Sequence, residues 1–191
     1  MKRRTAIASI LAAGTGGGLL FSGYKWIDWH KTPDFPFLEQ HRQLITALAE
    51  TIIPTTDSPG AREAGVGDFI LTMIKDCTDR ISQNKFIDGL KDLDSWCKSR
   101  YNRSFELCSL AEKTETLSHF QEKGRPLKGI AGKAETRYLG KSFFTTLKEY
   151  TVQGYCSSEA GATKGLAYLY IPGAFHGCIP MQPGQRAWAI K

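Results

Sequence analysis

At 191 residues, with 41% hydrophobic and 11% aromatic content, the chain has the size and composition of one globular domain with a real core, which excludes a disordered segment. Half of the net charge of +6 comes from Lys2, Arg3 and Arg4, since no acid precedes residue 23, and the other bases are scattered among acids. No Lys/Arg cluster interleaved with aromatics is present, so nucleic acid is not an expected partner.

The first element, residues 1–22, reads as an export signal. Adjacent arginines at Arg3 and Arg4 precede a modestly apolar run, residues 6–21, diluted by Gly14, Gly16, Gly17 and Gly18. A membrane-spanning helix needs about 20 predominantly apolar residues, and glycines weaken any helix. Modest hydrophobicity behind paired arginines suits the twin-arginine route, although the usual Phe and Leu after the pair are missing. No Ala-x-Ala site ends the run, so retention of the signal as a weak membrane tether stays open beside cleavage.

Residues 23–36 read as a linker, because Pro33 and Pro36 favour extended backbone. The helical domain, residues 37–191, then begins with an amphipathic helix carrying Phe37, Leu38, His41, Leu44, Ile45, Leu48, Ile52 and Ile53, stopped by Pro54. "PTTDSPGAREAGVG" is a loop. A second helix starts near Asp68, with Phe69, Ile70, Met73, Ile74, Cys77 and Ile81 on one face. A third carries Phe86 to Tyr101, and "SLAE" at Ser109–Glu112 has capping-box form and opens a fourth. Tyr138, Leu139, Phe143, Phe144, Leu147 and Tyr150 mark a fifth. The remainder, from "GYCSSEAG" onward, is rich in Gly and aromatics, with one short helix near Gly161–Tyr168. The expected fold is therefore all-α: a single domain of about five helices with a long irregular aromatic C-terminal wrap.

Catalytic signatures are sparse. "GTGGGLL" lacks the strand and the following acid of a dinucleotide-binding turn, and no G-x-S-x-G occurs. His41 on the apolar face of the first helix reads as a satisfied, partly buried histidine, and His30 and His119 as surface residues. Among the five cysteines no CxxC or CxxCH is found, which argues against zinc knuckles, thioredoxin chemistry and covalent haem. Cys156, His176 and Cys178, with Glu159 as a fourth ligand, fit a metal- or haem-holding electron-transfer protein, the alternative function. The favoured reading at an oxidising destination is a Cys156–Cys178 disulfide bracing the tail, worth roughly 3 kcal/mol. Cys97 and Cys108 bracket a helix–helix turn and could pair, while Cys77 reads as a buried free thiol. Tyr155, Tyr168, Tyr170, Phe175 and Trp188 serve either as a docking surface or as cover for the protein's own helices.

The stretch "LITALAETIIPTTDSPGAREAGVGDFI" resembles the gluconate 2-dehydrogenase subunit 3 family, through Ile52, Ile53, Pro54, Thr55, Asp57, Pro59, Gly60, Ala61, Ala64, Gly65, Val66, Phe69 and Ile70. The tail is similar too, at Gly154, Tyr155, Ser158, Glu159 and Gly161, and at Pro172, Gly173, Phe175, Gly177, Cys178 and Pro180. The resemblance implies a non-catalytic small subunit with no cofactor or metal of its own. Its implied partner is a FAD-binding, glucose–methanol–choline type catalytic subunit of a periplasmic sugar dehydrogenase, with a cytochrome as a further candidate partner. The small subunit would bind and stabilise that flavoprotein and carry it through the twin-arginine route. The expected docking residues are Asp57, Pro59, Arg62 and Glu63 in the loop and Tyr155, Glu159 and Phe175 in the tail.

Overall fold

The structure, a computed structural model, describes residues 31–125 and 140–171, positions 129, 132, 137 and 139 between them, and most of 173–189. Arg3, Arg4, His30, Tyr138, Phe175 and His176 lie outside the described residues. The regular structure described is helical: α1 (Phe35–Gln40), α2 (Arg42–Ile52), α3 (Val66–Asp76), α4 (Arg80–Tyr101), a 3-10 turn (Phe105–Leu107), α5 (Leu110–Lys123), α6 (Phe143–Ser157) and a π turn (Gly161–Gly165). No strand occurs among the described residues, only an isolated parallel bridge between Ala167 and Trp188. The all-α expectation holds.

Helix α6 is the centre of the bundle, touching α2, α3, α4 and α5. Leu147 on α6 is fully buried, as are Ile45 and Leu48 of α2, Ile70 and Ile74 of α3, and Phe86, Leu90 and Leu93 of α4. An aromatic chain crosses the core: the rings of Phe86 and Phe143 lie 5.2 Å apart, Phe143 and Phe120 5.9 Å, and Phe120 and Trp96 6.5 Å. Such tilted and edge-on pairs add to the burial of their area. Gly89 of α4 permits the approach of Phe143, because a Cβ there would sit 2.3 Å from the ring's Cγ.

Local chemistry fixes the helix ends. Asp79 accepts the Ser82 N–H at 3.0 Å and starts α4. Ser109 and Glu112 form the expected capping box on α5: the Ser109 N–H donates to Glu112 Oε2 at 2.7 Å and the Glu112 N–H to Ser109 Oγ at 3.3 Å. The buried Gln83 amide donates to the carbonyls of Ile74 (2.8 Å) and Lys75 (3.1 Å), satisfying the C-terminal end of α3.

Several boundaries differ from the sequence-based expectation. The first helix begins at Phe35, with Pro36 in its first turn, where the missing N–H costs nothing. It divides at His41, whose N–H is shared between the Phe37 and Leu38 carbonyls and whose Nδ1 lies 2.8 Å from the Phe37 carbonyl. His41 is thus a satisfied, partly buried residue, stacked on Phe37 at 3.9 Å. Helix α3 starts at Val66 and ends at Asp76, so Cys77 is an exposed C-cap and not a buried thiol, and Ile81 belongs to α4. The fifth predicted helix is seen as α6, which starts at Phe143, capped by Ser142, and continues through Tyr155 and Cys156. His119 is exposed as expected, and it stacks on Trp96 at 5.1 Å.

Candidate docking surface

The loop between α2 and α3 is organised by one carboxylate. Glu50, in the last turn of α2, reaches across the loop mouth and collects three donors. The Thr55 N–H (2.9 Å) and hydroxyl (2.8 Å) meet Oε1, and the Arg62 N–H meets Oε2 at 2.8 Å. Burial pushes the Glu50 carboxyl up, but the bonds from the Arg62 N–H and from Thr55 outweigh it, holding the group below the usual carboxylate range. Gly60 lies directly beneath, where a Cβ would fall 2.4 Å from Thr55 Oγ1 and 2.5 Å from Glu50 Oε1. The backbone closes the frame: the Ala61 N–H donates to the Ile53 carbonyl at 2.9 Å and the Val66 N–H to the Ala61 carbonyl at 3.0 Å.

The C-terminal end of α6 clamps this loop from the other side. Tyr155 is buried, 7% exposed, and its hydroxyl donates to the Pro59 carbonyl at 2.8 Å. Tyr155 and Pro59 therefore hold the loop to the bundle and are not surface contacts, a correction to their expected role. Replacing Tyr155 with Phe leaves the Pro59 carbonyl unsatisfied and should cost about 1–2 kcal/mol. A urea titration of the variant checks this.

What the clamp presents outward is charge. Asp57, Arg62, Glu63 and Glu159 are all exposed. Glu63 and Glu159 face the same shallow cleft of about 300 Å³ between the loop and the π turn, with Lys164 Nζ 3.9 Å from Glu63 Oε1. An ion pair this exposed contributes little to stability. On the loop's other flank a polar cleft of about 600 Å³ is lined by Arg42, Arg62, Asp68 and Glu106, among others.

Beyond the π turn the chain runs out and returns. The Ala167 N–H donates to the Ala187 carbonyl at 2.8 Å, the Ala189 N–H to the Ala167 carbonyl at 2.9 Å, and Arg186 Nη1 to the Lys164 carbonyl at 2.5 Å. The segment so closed displays Tyr170 (83% exposed), Ile171 (74%) and Met181 (87%), with Leu169 and Trp188 about half exposed. Three of these, Leu169, Tyr170 and Ile171, are consecutive, which makes the segment a candidate contact site. Between the two roles open for the tail aromatics, Tyr155 is cover, while Tyr168, Tyr170 and Trp188 are exposed.

All five cysteines are free thiols in the structure: Cys77, Cys156 and Cys178 are exposed, Cys97 and Cys108 buried. Among the described residues no three His, Cys, Asp or Glu side chains gather as a metal site, and no helix is long and apolar enough to cross a membrane.

The family model for gluconate 2-dehydrogenase subunit 3 matches residues 39–173, a span holding Glu50, the clamped loop, α6 and the start of the apolar tail. The chain belongs to this family. It is thereby related to an accessory subunit of a dehydrogenase complex. Comparison with curated proteins and with solved structures gives no match. Within a subunit 3 protein the Glu50-centred frame is the residue set that sequence patterning missed. Its only trace is an acid one turn before a helix-ending Pro54 and a loop crowded with unpaired backbone donors.

Proposed function

We propose that this chain is the non-catalytic small subunit of a periplasmic FAD-dependent sugar dehydrogenase. It binds the folded flavoprotein, stabilises it by mass action, and directs it through the twin-arginine route. The observation that supports this best is the exposed charged cleft between the clamped loop and the π turn, lined by Glu63, Glu159 and Lys164. Loop and turn lie about 100 residues apart in sequence, and the Tyr155–Pro59 hydrogen bond helps hold them together. The exposed residues Tyr170, Ile171 and Met181 supply apolar area, and Asp57, Arg62, Glu63 and Glu159 a charged rim, the division of labour found in specific interfaces. The flavin belongs to the partner, a cytochrome takes its electrons, and Arg3 and Arg4 provide the export signal for both chains.

Co-expression with a FAD-dependent catalytic subunit from the same genome tests the reading. The two chains should co-purify, and Arg3→Lys with Arg4→Lys should leave the flavoprotein in the cytoplasm. A Y170D/I171D variant should fold normally yet lower recovery of the partner at least tenfold. A flavoprotein that is active and exported alone, and that never co-purifies with this chain, sinks the proposal.

A further inference from the structure

Cys97 and Cys108 stand apart from the docking surface, at the corner where α4 hands over to α5. Cys97 lies in the last turns of α4 and is fully buried. Cys108 caps the 3-10 turn and is 6% exposed. The chain reverses at Asn102, which adopts a left-handed conformation (φ 53°), and the 3-10 turn packs back on α4. That reversal sets Cys97 and Cys108 at one corner of the fold, with the turn that Cys108 closes packed on the helix that carries Cys97. Cys97 Sγ lies 3.8 Å from Thr116 Oγ1, and Cys108 Sγ donates to the Ser104 carbonyl at 3.4 Å. Among the described residues no third His, Cys, Asp or Glu joins the pair as a metal-ligand set.

We propose that Cys97 and Cys108 form a dithiol that closes to a disulfide under oxidising conditions, clasping the end of α4 to the entry of α5. The oxidant is a disulfide, either a small-molecule one such as oxidised glutathione or that of a thiol–disulfide oxidoreductase. The Cys108 thiolate, the one with access to solvent, attacks a sulfur of the oxidant and releases one thiolate. The Cys97 thiolate then displaces the second thiolate from the mixed disulfide, closing the Cys97–Cys108 bond. The two protein protons end on the two released thiolates, and the two electrons leave with them. This inference is independent of the docking surface.

Burial pushes the Cys97 thiol up to about 11 and raises Cys108 as well, so neither is much ionised at neutral pH. Because the thiolate is the attacking species, closure in the folded protein should quicken about tenfold per pH unit between pH 7 and 9.

The full chain, purified with dithiothreitol, is exposed to oxidised glutathione at pH 7, 8 and 9. A second sample is refolded from urea in a glutathione redox buffer, and both are alkylated and peptide-mapped. The expected result is a Cys97–Cys108 linked peptide in both samples, with a midpoint of thermal unfolding about 5–10 °C above the reduced protein. In a C97S/C108S variant the oxidised and reduced midpoints should coincide. The proposal is overturned if both thiols remain alkylatable after both treatments. It is equally overturned if the linked form melts below the reduced one, or if the midpoint shift persists in C97S/C108S.

Discussion

Truncating Phe143 to alanine is expected to cost about 3–5 kcal/mol, the largest loss for any single core position at the α4–α6 contact. Phe143 opens α6 with 7% of its surface exposed, and its ring meets Phe86 and Phe120, so its removal opens a cavity flanked by two aromatics that cannot collapse into it. Gly89 gives the complementary test. A methyl there would lie 2.3 Å from Phe143 Cγ and 2.4 Å from its Cβ. Those atoms lie close to the α6 backbone and cannot swing aside, so the helix itself must move, at about 1–3 kcal/mol. Alanine recovers about 1 kcal/mol of helix propensity relative to glycine, which softens the cost of Gly89→Ala without reversing it. In the Phe143→Ala background the clash with the ring is gone while the 2.4 Å approach to Cβ remains, so the overlap is relieved in part. The double-mutant cycle should therefore show a favourable coupling of about 1–2 kcal/mol by urea unfolding. Strict additivity would mean that the two helices do not meet at this pair.

The contrast between Phe143 and Gly154 explains which parts of the fold were legible in the sequence. Helix interiors announce themselves by apolar spacing: Leu44, Ile45 and Leu48 in α2, or Phe86, Leu90 and Leu93 in α4, are all buried as their periodicity requires. The α5 start was legible because the capping box is a local motif in which both partners sit within four residues. What local pattern could not show are features decided by distant contacts. Gly154 reads as a helix breaker, yet it lies buried inside α6, where packing overrides propensity. Cys77 shares a period with Ile74 and Ile70, but α3 stops one residue before it, so the apolar face ends before reaching it. At the candidate docking surface the exposed charges Asp57, Arg62, Glu63 and Glu159 were readable from composition. The burial of Tyr155 was not, because it depends on a carbonyl, that of Pro59, 96 positions away in sequence.

Removing the Glu50 carboxylate should loosen the docking loop more than any change within the loop itself. Glu50→Ala strands three donors, the Thr55 N–H and hydroxyl and the Arg62 N–H, and is expected to cost about 3 kcal/mol. Glu50→Gln keeps the shape and one acceptor oxygen but replaces the other with a donor, and should cost about 1–2 kcal/mol. The pH dependence separates charge from shape. The folded carboxyl is held below its unfolded value of about 4.3, so its contribution is fully present above that value and is lost as pH falls through the folded one. The stability gap between wild type and Glu50→Gln should accordingly be full at pH 7 and shrink steadily below about pH 4. A gap of equal size at pH 7 and pH 3 would show that the ionised group is not what holds the loop. The same loosening should reach function, because Asp57, Arg62 and Glu63 ride on the frame that Glu50 anchors. Partner recovery should fall with Glu50→Gln even though Glu50 is not among the proposed contact residues. Gly60→Ala, which drives a methyl into Thr55 Oγ1 and both Glu50 oxygens, should reproduce that loss by disrupting the frame from beneath.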